Sequence, residues 1–468
     1  MFKKMCFFVT IISLLVSSVA VYGGNTNVYI NINGKRIYPD ASPFIKDGRT
    51  LVPIRIIAEN LGAEVDWNES TRDIAITLGS TSIKMSVGTK TATINGKLKT
   101  LDVPPQIYDS RTFVPIRFIA ESMNMIVNWI PEIRLATVTS PDYFDNIYGK
   151  TVLGYSTNDF KGDTSSYNSL INNPDSIDSI VTFSYTADSK GNLNPIGQSQ
   201  SNAVKFANDN GIRPLVLINN YIGESFDINL ANKILSNETV RKNLIHNILL
   251  AMGREEYAGV NIDIEHINWY DRDNYSAFIK ELKETLGPFG FLTTVSISAK
   301  TYDSYKLDNW SGAFDYAEIG KYADQIMLMT YDEHFATDVP GSISSLPWVE
   351  NVVKYASSVI PSKKLLLGIA GYGYDWADTG TKVISLKDVP DFISKSGLTV
   401  QWDDTLKSPH FSYEKNGVAH EVWYENADSI SYKYDLVNKY GLGGIGLWRL
   451  GYEDSVFWDI TDRKIRQK

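Results

Sequence analysis

From residue 150 onward, short apolar runs alternate with stretches in which apolar side chains recur every three or four positions. The runs are Val152–Tyr155, Ser179–Ser184, Pro214–Asn219, Gly259–Glu265, Leu292–Ser298, Gln325–Tyr331, Leu365–Ala370 and Gly444–Trp448. Between the fourth and fifth, Phe278, Leu282 and Leu286 fall on one face beside Tyr275 and Ile279, the spacing of an amphipathic helix. Strands alternating with helices predict a parallel sheet, and eight such units predict an α/β fold of the (β/α)8 TIM-barrel type over residues 150–462, with a doubly wound open sheet as the alternative. The stretch Ala377–Tyr440, between the last two runs, is too long for one helix. It is expected to hold a small inserted subdomain as well as the final helix.

Residues 24–140 follow a different pattern. Ile32-Asn33-Gly34-Lys35 returns as Ile94-Asn95-Gly96-Lys97, Arg49-Thr50-Leu51-Val52-Pro53-Ile54-Arg55 as Arg111-Thr112-Phe113-Val114-Pro115-Ile116-Arg117, and Trp67 as Trp129, each displaced by 62 positions. A constant offset marks a duplicated unit. Each copy predicts a hairpin turning at Asn-Gly, a strand running into the proline, a short helix (Ile56–Leu61 and Phe118–Met123) and an alternating strand such as Glu64–Trp67. One copy is too small to bury its own apolar face, so the two are expected to pack as one α+β module, joined to the barrel by a linker at 141–149. The repeated Arg-Thr-(Leu/Phe)-Val-Pro-Ile-Arg core and the later Trp resemble the copper amine oxidase N-terminal-like domain of exported bacterial proteins. That resemblance implies a role in attachment to the cell wall or in spacing; a folding appendage without a partner is the alternative. The residues do not support copper. All five histidines, His246, His266, His334, His410 and His420, lie in the other domain, and no metal or other cofactor is expected.

Composition narrows the class. Lys3 and Lys4 precede an apolar run from Phe7 to Val16 and small residues near Ala20 and Gly23, the layout of a secretory signal peptide over residues 1–23. No later stretch is apolar enough for a membrane span, so a secreted protein, associated with the cell wall or spore, is expected. The single cysteine, Cys6, falls within that leader, which leaves the mature chain without disulfides or a thiol nucleophile. A net charge of -9 argues against nucleic acid as a partner, because phosphate binding needs clustered cations.

The chemistry concentrates in one run, Gly259-Val260-Asn261-Ile262-Asp263-Ile264-Glu265. Side chains alternate along a strand, so Asn261, Asp263 and Glu265 share the face opposite Val260, Ile262 and Ile264. Two carboxylates turned into a barrel cost several kcal/mol unless they are bonded or used, and active sites of such barrels sit at the C-terminal ends of strands. A buried polar network that only fixes packing is the competing reading of the strand alone.

This strand resembles the Asp-Gly-x-Asp-x-Asp-x-Glu signature of glycoside hydrolase family 18, the chitinase-type enzymes. Met327-Leu328-Met329-Thr330-Tyr331-Asp332 and Gly443-Gly444-Ile445-Gly446-Leu447-Trp448 match two further strands of the family in order, and Gly371-Tyr372-Gly373-Tyr374 matches a third more loosely. The resemblance implies a secreted glycosidase that cleaves β-1,4 bonds after N-acetylglucosamine in peptidoglycan or chitin-like glycans, with the sugar's own acetamido oxygen as nucleophile. Glu265 is then the acid, Asp263 the group that orients the acetamido and stabilises its charge, and Tyr331 the donor to the acetamido oxygen. Asn261, Met329, Asp332, Tyr372 and Trp448 are expected to line the sugar site, with Tyr155, Phe183 and Asn219 as weaker candidates at other strand ends. Ala258 and Asn261 stand where the signature has its first two aspartates; Asn261 can donate a hydrogen bond to Asp263 but cannot share a proton with it. The variant looks like that of spore-cortex and peptidoglycan N-acetylglucosaminidases. A non-catalytic glycan-binding protein on the same barrel is the alternative function.

Overall fold

The computed structural model of the protein describes residues 27–144, 149–223 and 225–466. The expected signal peptide and the middle of the expected linker fall outside the described residues. The eight apolar runs form eight parallel strands, labelled β1 (Thr151–Ser156), β2 (Ser179–Ala187), β3 (Arg213–Asn219), β4 (Gly259–Asp263), β5 (Leu292–Ser298), β6 (Gln325–Met329), β7 (Leu365–Ala370) and β8 (Gly444–Trp448). Each pairs with its neighbour, and β1 pairs with both β2 and β8, so the sheet closes into a barrel and the open-sheet alternative falls. Alternation sorts the side chains. Val216, Ile218, Val260, Ile262, Val295 and Ile297 join the layer under the helices, whereas Leu153, Leu215, Leu217, Leu292, Met327 and Leu366 fill the interior. The helix Arg272–Leu286 buries Tyr275, Phe278, Ile279, Leu282 and Leu286 against that outer layer, as its period predicts.

The insertion between β7 and β8 is a five-stranded antiparallel sheet built from Tyr372–Ala377, Lys382–Ser385, Gln401–Asp403, Ser408–Lys415 and Val418–Tyr424. It starts at Tyr372, five residues before the expected Ala377, because the chain leaves β7 and re-enters a strand across Gly371. A short helix, Val389–Ser396, sits within it, and Ala427–Lys439 is the last helix before β8.

In the N-terminal module both Asn-Gly hairpins form. Asn33 and Gly34 turn at φ of 49° and 73°, Asn95 and Gly96 at 50° and 79°, the left-handed pair that a two-residue hairpin requires. The strand Arg49–Pro53 pairs antiparallel with its own repeat, Arg111–Pro115, with Val52 opposite Val114. Those two residues are 62 apart, so the copies meet about a local two-fold. The helices run Ile54–Asn60 and Ile116–Ser122, starting two residues earlier than expected because each proline ends its strand and the helix follows at once.

The module is docked on the base of the barrel, the end where the strands begin. Ile130 and Leu135 belong to the barrel's outer core, with Ile133 packed against it. Asn128 donates to the Pro288 carbonyl at 2.7 Å, and the buried Arg36 donates to the Gly253 carbonyl. Tyr143 and Phe144, in the stretch expected to be linker, pack against the interior core. Lys283 lies 3.5 Å from the centre of the Phe144 ring and bonds Asp324 at 2.6 Å, which in turn accepts from the Thr293 amide at 2.8 Å.

Candidate active site

The opposite end of the barrel has another character. Strand β4 stops at Asp263, whose register partner on β3 is Asn219, the last residue of that strand. The alternating pattern continues through Ile264, which is fully buried, to Glu265, which is half-buried. Glu265 was expected in the strand; it stands two residues past the ladder because β3 turns away at Asn219 and Asn220 and offers no further main-chain partner. Strand β6 likewise ends at Met329, short of the expected Tyr331, and Thr330 ties off its end by donating to the Gly368 carbonyl at 2.8 Å. A Cβ at Gly368 would clash with the Leu328 carbonyl and lie 3.0 Å from the Tyr331 ring, so glycine on β7 lets the β6 backbone approach and leaves room for that tyrosine.

Asp263 is 6% exposed, and among the described residues neither its carboxylate nor that of Glu265 accepts a hydrogen bond. Burial drives the Asp263 pKa upward. Glu265 is raised well above the usual carboxylate range, first by burial and then by the negative charges of Asp263 and Asp332. Removing water disfavours the charged form, and like charges disfavour it again. Both effects favour the neutral carboxyl form of Glu265, which bears the added repulsion of two neighbouring carboxylates. Tyr331 lies half-buried beside them, its phenol pKa also raised, chiefly by burial. Asp332, at the exposed rim with φ of 59°, accepts from Tyr372 at 2.5 Å and from Tyr374 at 3.1 Å.

Asn261 departs from its expected role. It is fully buried one step below Asp263; its amide donates to Thr294 at 3.0 Å and its carbonyl accepts from Ser296 at 2.9 Å. Among the described residues, Asn261 makes no hydrogen bond to Asp263. Ser296 in turn bonds Tyr155 at 2.6 Å, so Asn261 supports the layer beneath the carboxylates.

Trp448 is half-buried at the end of β8, with Tyr155 at 5.5 Å and Phe183 at 6.1 Å between ring centres. It bridges the barrel interior and an aromatic wall of Tyr372, Tyr374, Trp376 and Trp423 raised by the inserted sheet. Met329 is half-buried at the mouth, one inward position above the buried Met327. The weaker candidates Tyr155, Phe183 and Asn219 thus join the same mouth. Asn219 is fully buried, accepts from Thr186 at 2.8 Å and from the Tyr221 amide at 3.1 Å, and its Nδ2 has no protein partner. Four contributors were not expected as site residues: Tyr374, Trp376 and Trp423 in the wall, and Asn220. Tyr374 could have been found from its two-residue spacing to Tyr372. No cluster of three or more potential metal ligands occurs among the described residues.

Two family models match the chain: glycosyl hydrolases family 18 over residues 151–453 and copper amine oxidase N-terminal domain over residues 31–138. Residues 31–138 contain neither histidine nor cysteine, so the donors present there do not fit copper. The chain is 35% identical to the uncharacterized glycosylase YvbX of Bacillus subtilis over 316 residues, 66% of this chain and 90% of the relative. The crystal structure of the Bacillus cereus spore cortex-lytic enzyme SleL superposes with a TM-score of 0.64 at 27% identity, covering 68% of this chain and 74% of that one. The chitinase of Chromobacterium violaceum superposes equally well, at 28% identity over 68% of this chain and all of its own length.

Proposed function

Because the chain belongs to glycosyl hydrolase family 18 and is a glycosidase of N-acetylglucosamine glycans, we propose that it cleaves the β-1,4 bond after N-acetylglucosamine in peptidoglycan by substrate-assisted, retaining catalysis. The observation that carries this reading is the pair of carboxyl groups, Asp263 and Glu265, sunk at the mouth of the barrel without a donor to either among the described residues. A protonated Glu265 gives its proton to the glycosidic oxygen as the bond from that oxygen to the anomeric carbon breaks. The acetamido oxygen bonds to the same carbon, and the positive charge that spreads over the oxazolinium ring is balanced by ionised Asp263, which accepts the acetamido N–H. Tyr331 donates to the acetamido oxygen, and Trp448 offers a flat apolar floor to the sugar face. Glu265, now a carboxylate, takes a proton from water as that water opens the ring. Two displacements at one carbon return the original configuration.

Two observations favour wall glycan over chitin. Asn261 replaces an aspartate, and the module sits at the base, where it can hold an insoluble wall while the mouth stays open. In this reading the enzyme is exported and works at the cell wall or spore. The test is to incubate the protein with purified wall glycan strands, cortex fragments and chitin oligomers, following reducing ends and product masses beside a binding assay. Cleavage of wall glycans with N-acetylglucosamine at the new reducing end supports the proposal. Rapid cleavage of chitin oligomers with wall glycans untouched overturns the substrate preference, and binding without any product replaces the enzyme with a glycan-binding protein.

A further inference from the structure

Glu265 stands where the ladder between β3 and β4 has already ended, yet its backbone is not loose. Asn220, fully buried, accepts the Glu265 N–H through Oδ1 at 3.0 Å and donates from Nδ2 to the Glu265 carbonyl at 2.9 Å. A primary amide offers one acceptor and one donor side in a plane, as a peptide unit does. The side chain of Asn220 thus supplies what the next residue of a neighbouring strand would have supplied had β3 continued.

The same Nδ2 donates to the Asp227 carbonyl at 3.0 Å, while the Asp227 amide donates back to the Asn220 carbonyl at 3.1 Å. Asp227 caps the helix Ile228–Leu235 by accepting from the Asn229 and Leu230 amides. The acid is therefore fixed at its main chain to a helix end, although its carboxyl group receives no hydrogen bond from the described residues. The division has a chemical use. A carboxyl group that must give and later take a proton is best left without permanent donors, so its placement has to come from the backbone.

We propose that Asn220 is the positioning residue that holds Glu265 at the leaving oxygen. The inference rests on the reading of Glu265 as general acid and goes beyond it by assigning the acid's placement to a side chain on β3's exit. Loss of the clamp displaces the acid without changing the groups that bind the sugar. The penalty then falls on bonds whose departing oxygen needs a proton, and not on bonds to a group that leaves as a stable anion.

The experiment compares the full chain with Asn220→Ala and Asn220→Asp on two substrates, an N-acetylglucosamine oligosaccharide and the dinitrophenyl glycoside of N-acetylglucosamine. Asn220→Asp keeps the shape and the acceptor for the Glu265 N–H but presents an oxygen to two carbonyls, so it tests the clamp should the alanine variant not fold. A displacement on the ångström scale predicts a kcat/KM loss of about 30- to 100-fold on the oligosaccharide, while kcat/KM for the dinitrophenyl glycoside, which reports only the bond-breaking step, falls by less than about threefold. Equal loss of kcat/KM on both substrates, or on neither, overturns the clamp. Glu265→Gln on the same two substrates separates the premises: if it keeps its kcat/KM on the oligosaccharide, the acid assignment falls and the clamp with it; if kcat/KM falls on the oligosaccharide alone, the Asn220 result stands by itself.

Discussion

The two ends of the barrel are built on opposite terms. At the base, the buried charges are matched: Lys283 meets Asp324 and the Phe144 ring, Arg36 meets a carbonyl and Asn31, and Ile130 and Leu135 continue the barrel's own core into the module. At the mouth, Glu265 is opposed by the negative charges of Asp263 and Asp332, and the carboxyl groups of Asp263 and Glu265 accept no hydrogen bond from the described residues. Burial of this kind costs stability and is retained where chemistry needs it. The contrast teaches which end to read for function and which for folding.

The sharpest way to break the contrast is Asp263→Asn. It removes the charge that stabilises the intermediate, so kcat is expected to fall about 100- to 1,000-fold with a smaller change in KM. The same change should raise Tm. Because the folded-state pKa of Asp263 lies above its unfolded value, the folded protein holds a proton that the unfolded chain has released. That group's contribution to stability therefore falls as pH rises across the interval between the two values, and the amide abolishes the fall. A lower Tm for this variant would mean that the mouth is not under electrostatic strain.

A smaller effect is expected at Asp332. Its negative charge helps raise the pKa of Glu265, so Asp332→Asn should lower that pKa and move the basic limb of the pH–rate profile towards lower pH. The acidic limb, set by ionisation of Asp263, should move little, since Asp332 is not among the causes of its shift. A basic limb that stays in place would remove Asp332 from the electrostatics of the acid.

At the base the expectations invert. Lys283→Ala leaves Asp324 buried without its cation and should cost about 3 kcal/mol of stability, measured by denaturant unfolding, while kcat on a short oligosaccharide stays near that of the unaltered chain. Deletion of residues 24–140 should likewise spare kcat on short substrates but lower Tm, because it uncovers the barrel surface on which Ile130, Ile133 and Leu135 pack. An unchanged Tm would show that the module is a mere passenger on the barrel.

The barrel was legible because its strands are continuous apolar runs and its helices carry a clear period, and both signals survive any detail of packing. The clustering of Asp263, Glu265, Tyr331, Met329 and Trp448 at one end followed from their places at the ends of strands. What escaped was set by contacts without periodicity. The alternation of Asn261, Asp263 and Glu265 runs on unbroken in sequence, so nothing in it marks where main-chain pairing stops or that Asn220 takes over. The amide of Asn261 found partners on β5, in Thr294 and Ser296, rather than on its own strand, and a pattern along one strand cannot weigh its neighbour. The docking residues Ile130 and Leu135 look in sequence like any strand core.

The central claim is that Glu265 is the proton donor, and the most direct measurement is turnover of an N-acetylglucosamine oligosaccharide by Glu265→Gln, with binding of the same oligosaccharide measured by calorimetry. The amide keeps shape and loses the proton, so turnover should fall by about 100- to 10,000-fold while affinity stays close to that of the unaltered protein. Turnover within a few-fold of the unaltered enzyme would contradict the account.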